Sequence, residues 1–172
     1  MPAMPITLPI ETERLLVRAF DAVTDSVPML GVYGDPDVMQ FIPGGVLADA
    51  EAVKDLLDGY ANAHQTRGFS SWGLVERASG SLIGDVGFGI FEPTGDVELG
   101  YTLARRYWGH GYATEAAGAC LAAGLTQLSP ERIIAVVDEA NESSLQVAQR
   151  IGMRRVDMIE AHGRPHVVFA AE

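Results

Sequence analysis

Cys120 is the only cysteine among 172 residues. That excludes an internal disulfide and any cysteine-based zinc cluster. Cationic side chains are also scarce: twelve Lys and Arg stand against twenty-three Asp and Glu, a formal charge of −11. Such a field disfavours nonspecific nucleic-acid binding and favours the approach of a cationic substrate such as an amine. Solubility alone accounts for the acidity equally well. No apolar run approaches the roughly 18–20 residues that span a bilayer. Met1 to Ile10 holds three prolines and no basic region, so it does not read as a secretory signal. These absences point to a cytoplasmic protein. At 48 % apolar and 20 % charged residues the composition is that of an ordinary globular chain. Its length fits one domain, residues 1–172, with a sizeable core.

The patterning predicts a mixed α/β order without repeats or linkers. Arg14–Arg18 is β-compatible, and Asp21–Tyr33 is weakly helical with Pro28 interrupting it. Asp49–Ala63 is a helix, with Ala50, Val53, Leu56, Leu57, Tyr60 and Ala61 on one face. The period then changes. Ser71–Glu76 and Leu82–Phe91 form a hairpin around Ala78–Gly80, and Val97–Leu103 is a third strand in this run. Ala113, Ala116, Ala117, Cys120, Leu121 and Gly124 make the inner stripe of the next helix. Arg132–Val137 is a continuous apolar strand. Ser143–Ile151 is a helix, with Ser143 and Gln146 as a capping box and Gly152 as its stop. Arg154–Ile159 and His166–Ala170 are the last two strands.

The stretch from Glu98 to Ala116 runs from a strand through a glycine-punctuated turn into an alanine-rich helix. A Gly-rich turn opening a helix presents free backbone N–H groups and the positive end of the helix dipole, which together bind phosphate-bearing ligands. Gly109, Gly111 and Ala113 lack the full dinucleotide spacing, and the Gly-Lys-Ser/Thr ending of a kinase-type P-loop is missing. Arg105, Arg106 and His110 add local positive character that offsets the acidic field, which is screened over about 8 Å.

The segment resembles motif A of the GNAT acetyltransferases, in particular their RimJ/RimL-type branch. The register Trp108-x-x-Gly111-x-Ala113 is that of the branch, although Arg106-x-x-Gly109-x-Gly111 matches the wider superfamily by letter. Thr12-Glu-Arg-Leu15, Asp35-Pro-Asp-Val-Met39 and Asn141-x-x-Ser144 also match. So does Ile151-Gly-Met153, where the branch usually has Leu-Gly-Phe. Together they run in order from Glu11 to Phe169. The implied fold is a mixed, mostly antiparallel sheet of about seven strands flanked by four helices, splayed between the fourth and fifth strands.

The resemblance implies acetyl-CoA as donor and direct N-acetylation of a primary amine, either a protein N-terminal α-amine or a small molecule. Backbone N–H groups of Gly109, His110, Gly111, Tyr112, Ala113 and Thr114 would cradle the pyrophosphate. Tyr101 to Leu103 would pair with the pantetheine arm as an added strand. The Leu103 N–H would stabilise the thioester oxyanion, a kind of contact worth ~3 kcal/mol in other enzymes. Asn141 would bond the pantetheine amide, and Ser144 would lie near the sulfur, to bond the thiol or protonate the departing thiolate; the general acid is Ser144, a water or no dedicated group. Many relatives outside the branch place a tyrosine acid seven residues after that Asn, where this chain has Ala148.

Glu98 is the candidate general base, its alternative being a strand glutamate facing solvent. Glu115, in the first turn of the motif helix, suits the dipole. Asn141 and Ser144 both have ordinary explanations as residues at a helix start. Tyr33, Phe41 and Trp72 are candidates to line the acceptor pocket, core burial being the commoner fate of aromatics. Trp108 reads as a packing residue and Cys120 as buried. His64, His162 and His166 are too dispersed to suggest a metal site. A non-catalytic module that binds or senses acyl-CoA is the alternative function. The acceptor loops are placed at Asp35–Val46 and Ala161–Pro165. Oligomeric state stays open, relatives often being dimers.

Overall fold

The computed structural model describes residues 4–172, so the first residues of the Met1–Ile10 segment lie outside the described part. The strands are β1 Ile10–Glu11, β2 Leu15–Arg18, β3 Ser71–Glu76, β4 Ser81–Phe91, β5 Asp96–Leu103, β6 Ile133–Asp138, β7 Arg154–Ala161 and β8 Arg164–Ala171. The helices are α1 Ala22–Tyr33, α2 Ala50–Arg67, α3 Tyr112–Gln127 and α4 Glu142–Arg150, and Arg105–Tyr107 is one 3-10 turn. The strands form a single sheet in the order β1-β2-β3-β4-β5-β6-β8-β7. The eighth strand, beyond the about seven that the pattern implies, is the two-residue β1, too short to register as an alternation.

Every neighbouring pair is antiparallel except β5 and β6, which run parallel and pair only at Val97–Ile133 and Glu98–Ile134. Past those two rungs the strands diverge. This is the splay expected between the Val97–Leu103 and Arg132–Val137 strands.

Helices α1 and α2 cover one face of the sheet through Met29, Val32, Tyr33, Val53 and Leu57. Helix α3, with α4 beside it, covers the other through Ala116, Ala117, Cys120, Val147 and Ala148. Small residues let α3 lie close: a Cβ at Gly124 would stand 2.6 Å from Phe88 Cζ and 2.8 Å from Ile133 Cδ1.

Three boundaries depart from expectation. Pro28 lies within α1 without ending it. It is on the exposed side, as is Thr24, whose carbonyl its missing N–H would have bonded, so water can serve that group. Helix α2 runs on to Arg67 because Gly68, at φ 85°, makes the left-handed stop and donates to the His64 carbonyl. Helix α4 is capped by Asn141, not Ser143: the Asn141 carboxamide oxygen accepts from the Ser144 N–H at 3.3 Å. Among the described residues, no helix is long and apolar enough to cross a membrane.

Candidate active site

The glycine turn after β5 is built by two positive φ values, 76° at Gly109 and 79° at Gly111. Gly111 is the N-cap of α3 and supplies no side-chain cap, so the first N–H groups of the helix stay open. The connection between β1 and β2 clamps this turn from behind. Arg14 Nη1 donates to the His110 carbonyl at 2.8 Å. That carbonyl is trans to the Gly111 N–H across a planar peptide, so the bond fixes the direction of that N–H. Glu115 accepts from the Thr12 hydroxyl at 2.6 Å, from the Arg14 N–H at 2.9 Å and from Arg14 Nε at 2.7 Å. Arg14 also covers the Tyr112 ring at 4.5 Å, and the Tyr112 hydroxyl donates to Glu76 at 2.5 Å. Glu115 thus ties the turn to β2 in addition to suiting the helix dipole.

A cavity of about 550 Å³ opens on this turn. Gly109, Gly111, Tyr112, Ala113 and Thr114 line it, with Tyr101, Leu103, Asn141 and Ser144. His110 does not; its ring stacks on Tyr112 and its Nδ1 lies 2.8 Å from the Trp108 carbonyl. Arg105 is turned to the Asp35 and Asp37 carboxylates, so it is not aimed at the turn. Among the described residues, the one Lys or Arg on the wall is Arg150, at the end of α4, which the motif pattern did not single out. Trp108 is 48 % exposed rather than packed inside, and its indole N–H donates to the Leu103 carbonyl at 2.9 Å.

The β5 backbone faces this cavity by strand geometry. The Ala104 N–H bonds the Ile83 carbonyl on β4. Successive N–H groups of a strand point to opposite sides, so those of Leu103 and Tyr101 point toward β6, which has already diverged. An extended ligand can pair there as an added strand.

A second cavity, about 460 Å³, lies on the α1–α2 side and meets the first at Tyr101, Thr102, Asn141 and Ser144. Asn141 is held by its own N–H to the Asp138 carbonyl at 2.9 Å, and its carboxamide NH2 remains available for a ligand. The Tyr101 hydroxyl donates to Ser144 Oγ at 2.9 Å, and burial raises the Tyr101 pKa, so the phenol keeps its proton.

Glu98 lines the second cavity. Burial pushes its pKa up to about 7, against the opposing pull of the Val136 N–H and the charge of His166. A carboxylate in that range serves as a proton acceptor at neutral pH. Tyr33 and Phe41 also line this cavity, and the Arg164 guanidinium lies 5.6 Å over the Phe41 ring. Trp72 does not reach it. It is 1 % exposed, packed edge-on against Phe88 and donating to His64, because β3 turns it into the core. Cys120 is fully buried, and burial pushes its thiol up to about 12.

Sequence spacing missed two further lining residues, His166 and Asp85, and gave His162 no role of its own within the Ala161–Pro165 acceptor loop. His162 and His166 come together across the two-residue turn joining β7 and β8, with ring centroids 6.0 Å apart. Asp85 on β4 is 4 % exposed and accepts from the Tyr33 hydroxyl. Only tertiary contacts could reveal these, since nothing local marks them. Among the described residues, no group of three or more His, Cys, Asp or Glu side chains is placed to hold a metal ion.

The profile of the acetyltransferase (GNAT) domain matches residues 14–154. The chain is 32 % identical over 146 residues to the uncharacterized N-acetyltransferase YnaD of Bacillus subtilis (strain 168), covering 85 % of this chain and 82 % of YnaD. The GNAT-family acetyltransferase structure from Bacillus anthracis superposes with a TM-score of 0.80 at 28 % identity, over 95 % of this chain and 98 % of that one. RimL, a ribosomal L7/L12 alpha-N-protein acetyltransferase solved with coenzyme A, has the same fold. Its TM-score is 0.80 at 18 % identity, over 95 % of this chain and 97 % of that one. A helix N-terminus opened by glycines, a strand pair that parts beside it and this match over most of the length agree: the chain belongs to the GNAT acetyltransferases and is an acyltransferase.

Proposed function

We propose that the protein, acting as one N-acetyltransferase domain over residues 1–172, transfers acetyl from acetyl-CoA directly to a primary amine. The observation that carries this reading is a continuous path. It runs from the open N-terminus of α3, along the Leu103 and Tyr101 N–H groups that β6 leaves unpaired, to a carboxylate at Glu98 with a pKa of about 7. The residues fit the donor. Gly109, Gly111, Tyr112, Ala113 and Thr114 offer N–H groups to a pyrophosphate, with Arg150 as the nearby cation. The Leu103 and Tyr101 backbone would hold the pantetheine arm, and Asn141 its amide. Acetyl-CoA supplies the activated acyl group.

The chain's own residues would do the rest. Glu98 takes the proton from the incoming ammonium, directly or through water, since an amine attacks only when neutral. The Leu103 N–H faces the developing oxyanion. Ser144, with the Tyr101 hydroxyl behind it, gives its proton to the departing thiolate and recovers one from the attacking nitrogen, which sheds it as the amide forms. The hydroxyl pair fills the role for which many relatives use a tyrosine at the position of Ala148, which weakens the alternative of a non-catalytic acyl-CoA-binding module. The α-amine of a protein N-terminus is one acceptor class to examine, since RimL is described as acting on ribosomal L7/L12. The proposed setting is the cytoplasm.

An amine panel with acetyl-CoA, followed by release of free thiol, tests the reading, alongside calorimetric titration of acetyl-CoA. Thiol release that depends on both amine and protein is expected. No acetyl-CoA binding at millimolar ligand sinks the reading. Binding without turnover on any amine leaves the non-catalytic alternative.

A further inference from the structure

One face of β4 and β5 forms the floor of the second cavity. Glu98, Gly100 and Thr102 alternate along β5, and Asp85 on β4 stands opposite Thr102. The proposed reaction uses Glu98 and leaves Asp85 without a task. Yet Asp85 is 4 % exposed, and no cation pairs with it among the described residues. Its partners are neutral: the Tyr33 hydroxyl and Thr102, with the Tyr60 hydroxyl near enough for Asp85 to raise its pKa. A buried carboxylate with no compensating cation is costly, and proteins seldom keep one without use. Burial raises its pKa to about 6, and a cation placed beside it would favour the ionised form.

The surroundings say what would compensate it. Among the described residues, the wall of this cavity carries Asp85, Glu98 and Asp138 and no Lys or Arg. Asp138 is already paired with Arg164 at 3.0 Å, and Glu98 has His166 as its neighbour. Asp85 alone has nothing positive. Gly100 keeps the way between Glu98 and Asp85 clear, since a Cβ there would meet nothing within 4 Å. The four-residue step along β5 from Glu98 to Thr102 spans about 13 Å of floor.

We propose that Asp85, held by Tyr33 and Thr102, is a cation-binding subsite for the acceptor, taking a second positively charged group of an amine whose reacting nitrogen lies at Glu98. The position of that reacting nitrogen rests on the acetyltransferase reading. The same subsite turns away acceptors that carry a carboxylate at the distal end. The acceptor class is therefore a compact amine with two separated cationic groups.

Calorimetry with three probe series tests this on the whole protein, with and without coenzyme A. The series are α,ω-diaminoalkanes from butane to octane, the 1-aminoalkanes of equal length and the corresponding ω-aminocarboxylates. The best diamine should bind about tenfold more tightly than its monoamine or better, a difference of about 1.4 kcal/mol, with the aminocarboxylate weakest. In Asp85→Asn the ratio of diamine to monoamine affinity should fall to near one. Equal binding of diamines and monoamines by the unaltered protein overturns the proposal and needs no variant. A diamine preference that survives in Asp85→Asn overturns it too. Thiol release from acetyl-CoA is read separately. Diamines bound through Asp85 but never acetylated retire the acetyltransferase reading and leave the subsite. Acetylation of monoamines and diamines with equal KM retires the subsite and leaves that reading.

Discussion

The Tyr101 hydroxyl donates to Ser144 Oγ across 2.9 Å at the junction of the two cavities. The bond joins β5 to the first turn of α4 and leaves the Ser144 proton free to face a ligand. If Ser144 protonates the leaving thiolate, Ser144→Ala should lower kcat by about 10²-fold, at the lower end for a positioned acid. Tyr101→Phe removes only the supporting donor and should cost less. Thiol-release kinetics beside calorimetric coenzyme A affinities check this. Equal loss of affinity and rate would place both residues in binding alone.

Glu98 gives a pH dependence of definite sign. Only the carboxylate accepts a proton, so kcat/KM should rise as pH increases through about 7, the pKa that burial imposes. Glu98→Gln should flatten that limb and lower kcat/KM by about 10²–10³ while coenzyme A still binds. A profile unchanged in shape in the variant would assign the base to another group.

Asp85 contributes to stability with the opposite sign from a salt-bridged carboxylate. Burial lifts its pKa from 3.8 to about 6, so the folded state holds a proton that the unfolded state has lost between those values. Stability from this group is greatest below the lower value and falls as pH rises through the upper one. The cost of keeping the charge buried at pH 7 is roughly 3 kcal/mol. Asp85→Asn should therefore raise Tm at pH 7.5, with the gain shrinking toward pH 4, as melts across that range would record. A variant less stable than the parent at pH 7.5 would show that the Tyr33 bond outweighs the buried charge.

Arg14 controls the glycine turn from outside the cavity. Arg14→Ala frees the His110 carbonyl and takes one charged donor from Glu115, which keeps its bonds to Thr12 and to the residue 14 N–H. Because the Arg14 side chain is 42 % exposed, its ion pair contributes little alone. The expected signature is weaker coenzyme A binding, about 5-fold or more, with a Tm change equivalent to under about 1 kcal/mol. A large Tm loss with unchanged affinity would make Arg14 structural only.

The glycine turn and its helix were legible because their chemistry is local: Gly109 and Gly111 meet a backbone demand within a few residues. The two tryptophans show where locality ends. Trp72 was a pocket candidate and Trp108 a packing residue, yet Trp72 is 1 % exposed and Trp108 48 %. An aromatic's burial depends on which layer covers it, and α3 packs over the face that carries Phe88 beside Trp72. Asp85 was invisible for the same reason. Within Gly84-Asp-Val-Gly87 it resembles a strand carboxylate facing water. Only partners distant in sequence, such as Tyr33 52 residues away, show it to be a buried one. The cap of α4 was misplaced by two residues because Asn141 and Ser143 are both good caps by type.

The two rungs between β5 and β6 make the sheet almost two sheets, β1–β5 and β6–β8, laced at one end. The amides of Tyr101 and Leu103 should therefore exchange with deuterium far faster than their neighbours Thr102 and Ala104 in the free protein. A bound extended ligand should slow them to the pace of a central strand, in a pattern alternating along β5. The ligand would then be a removable thread in the weave, and its arrival would be felt as stiffening across both halves.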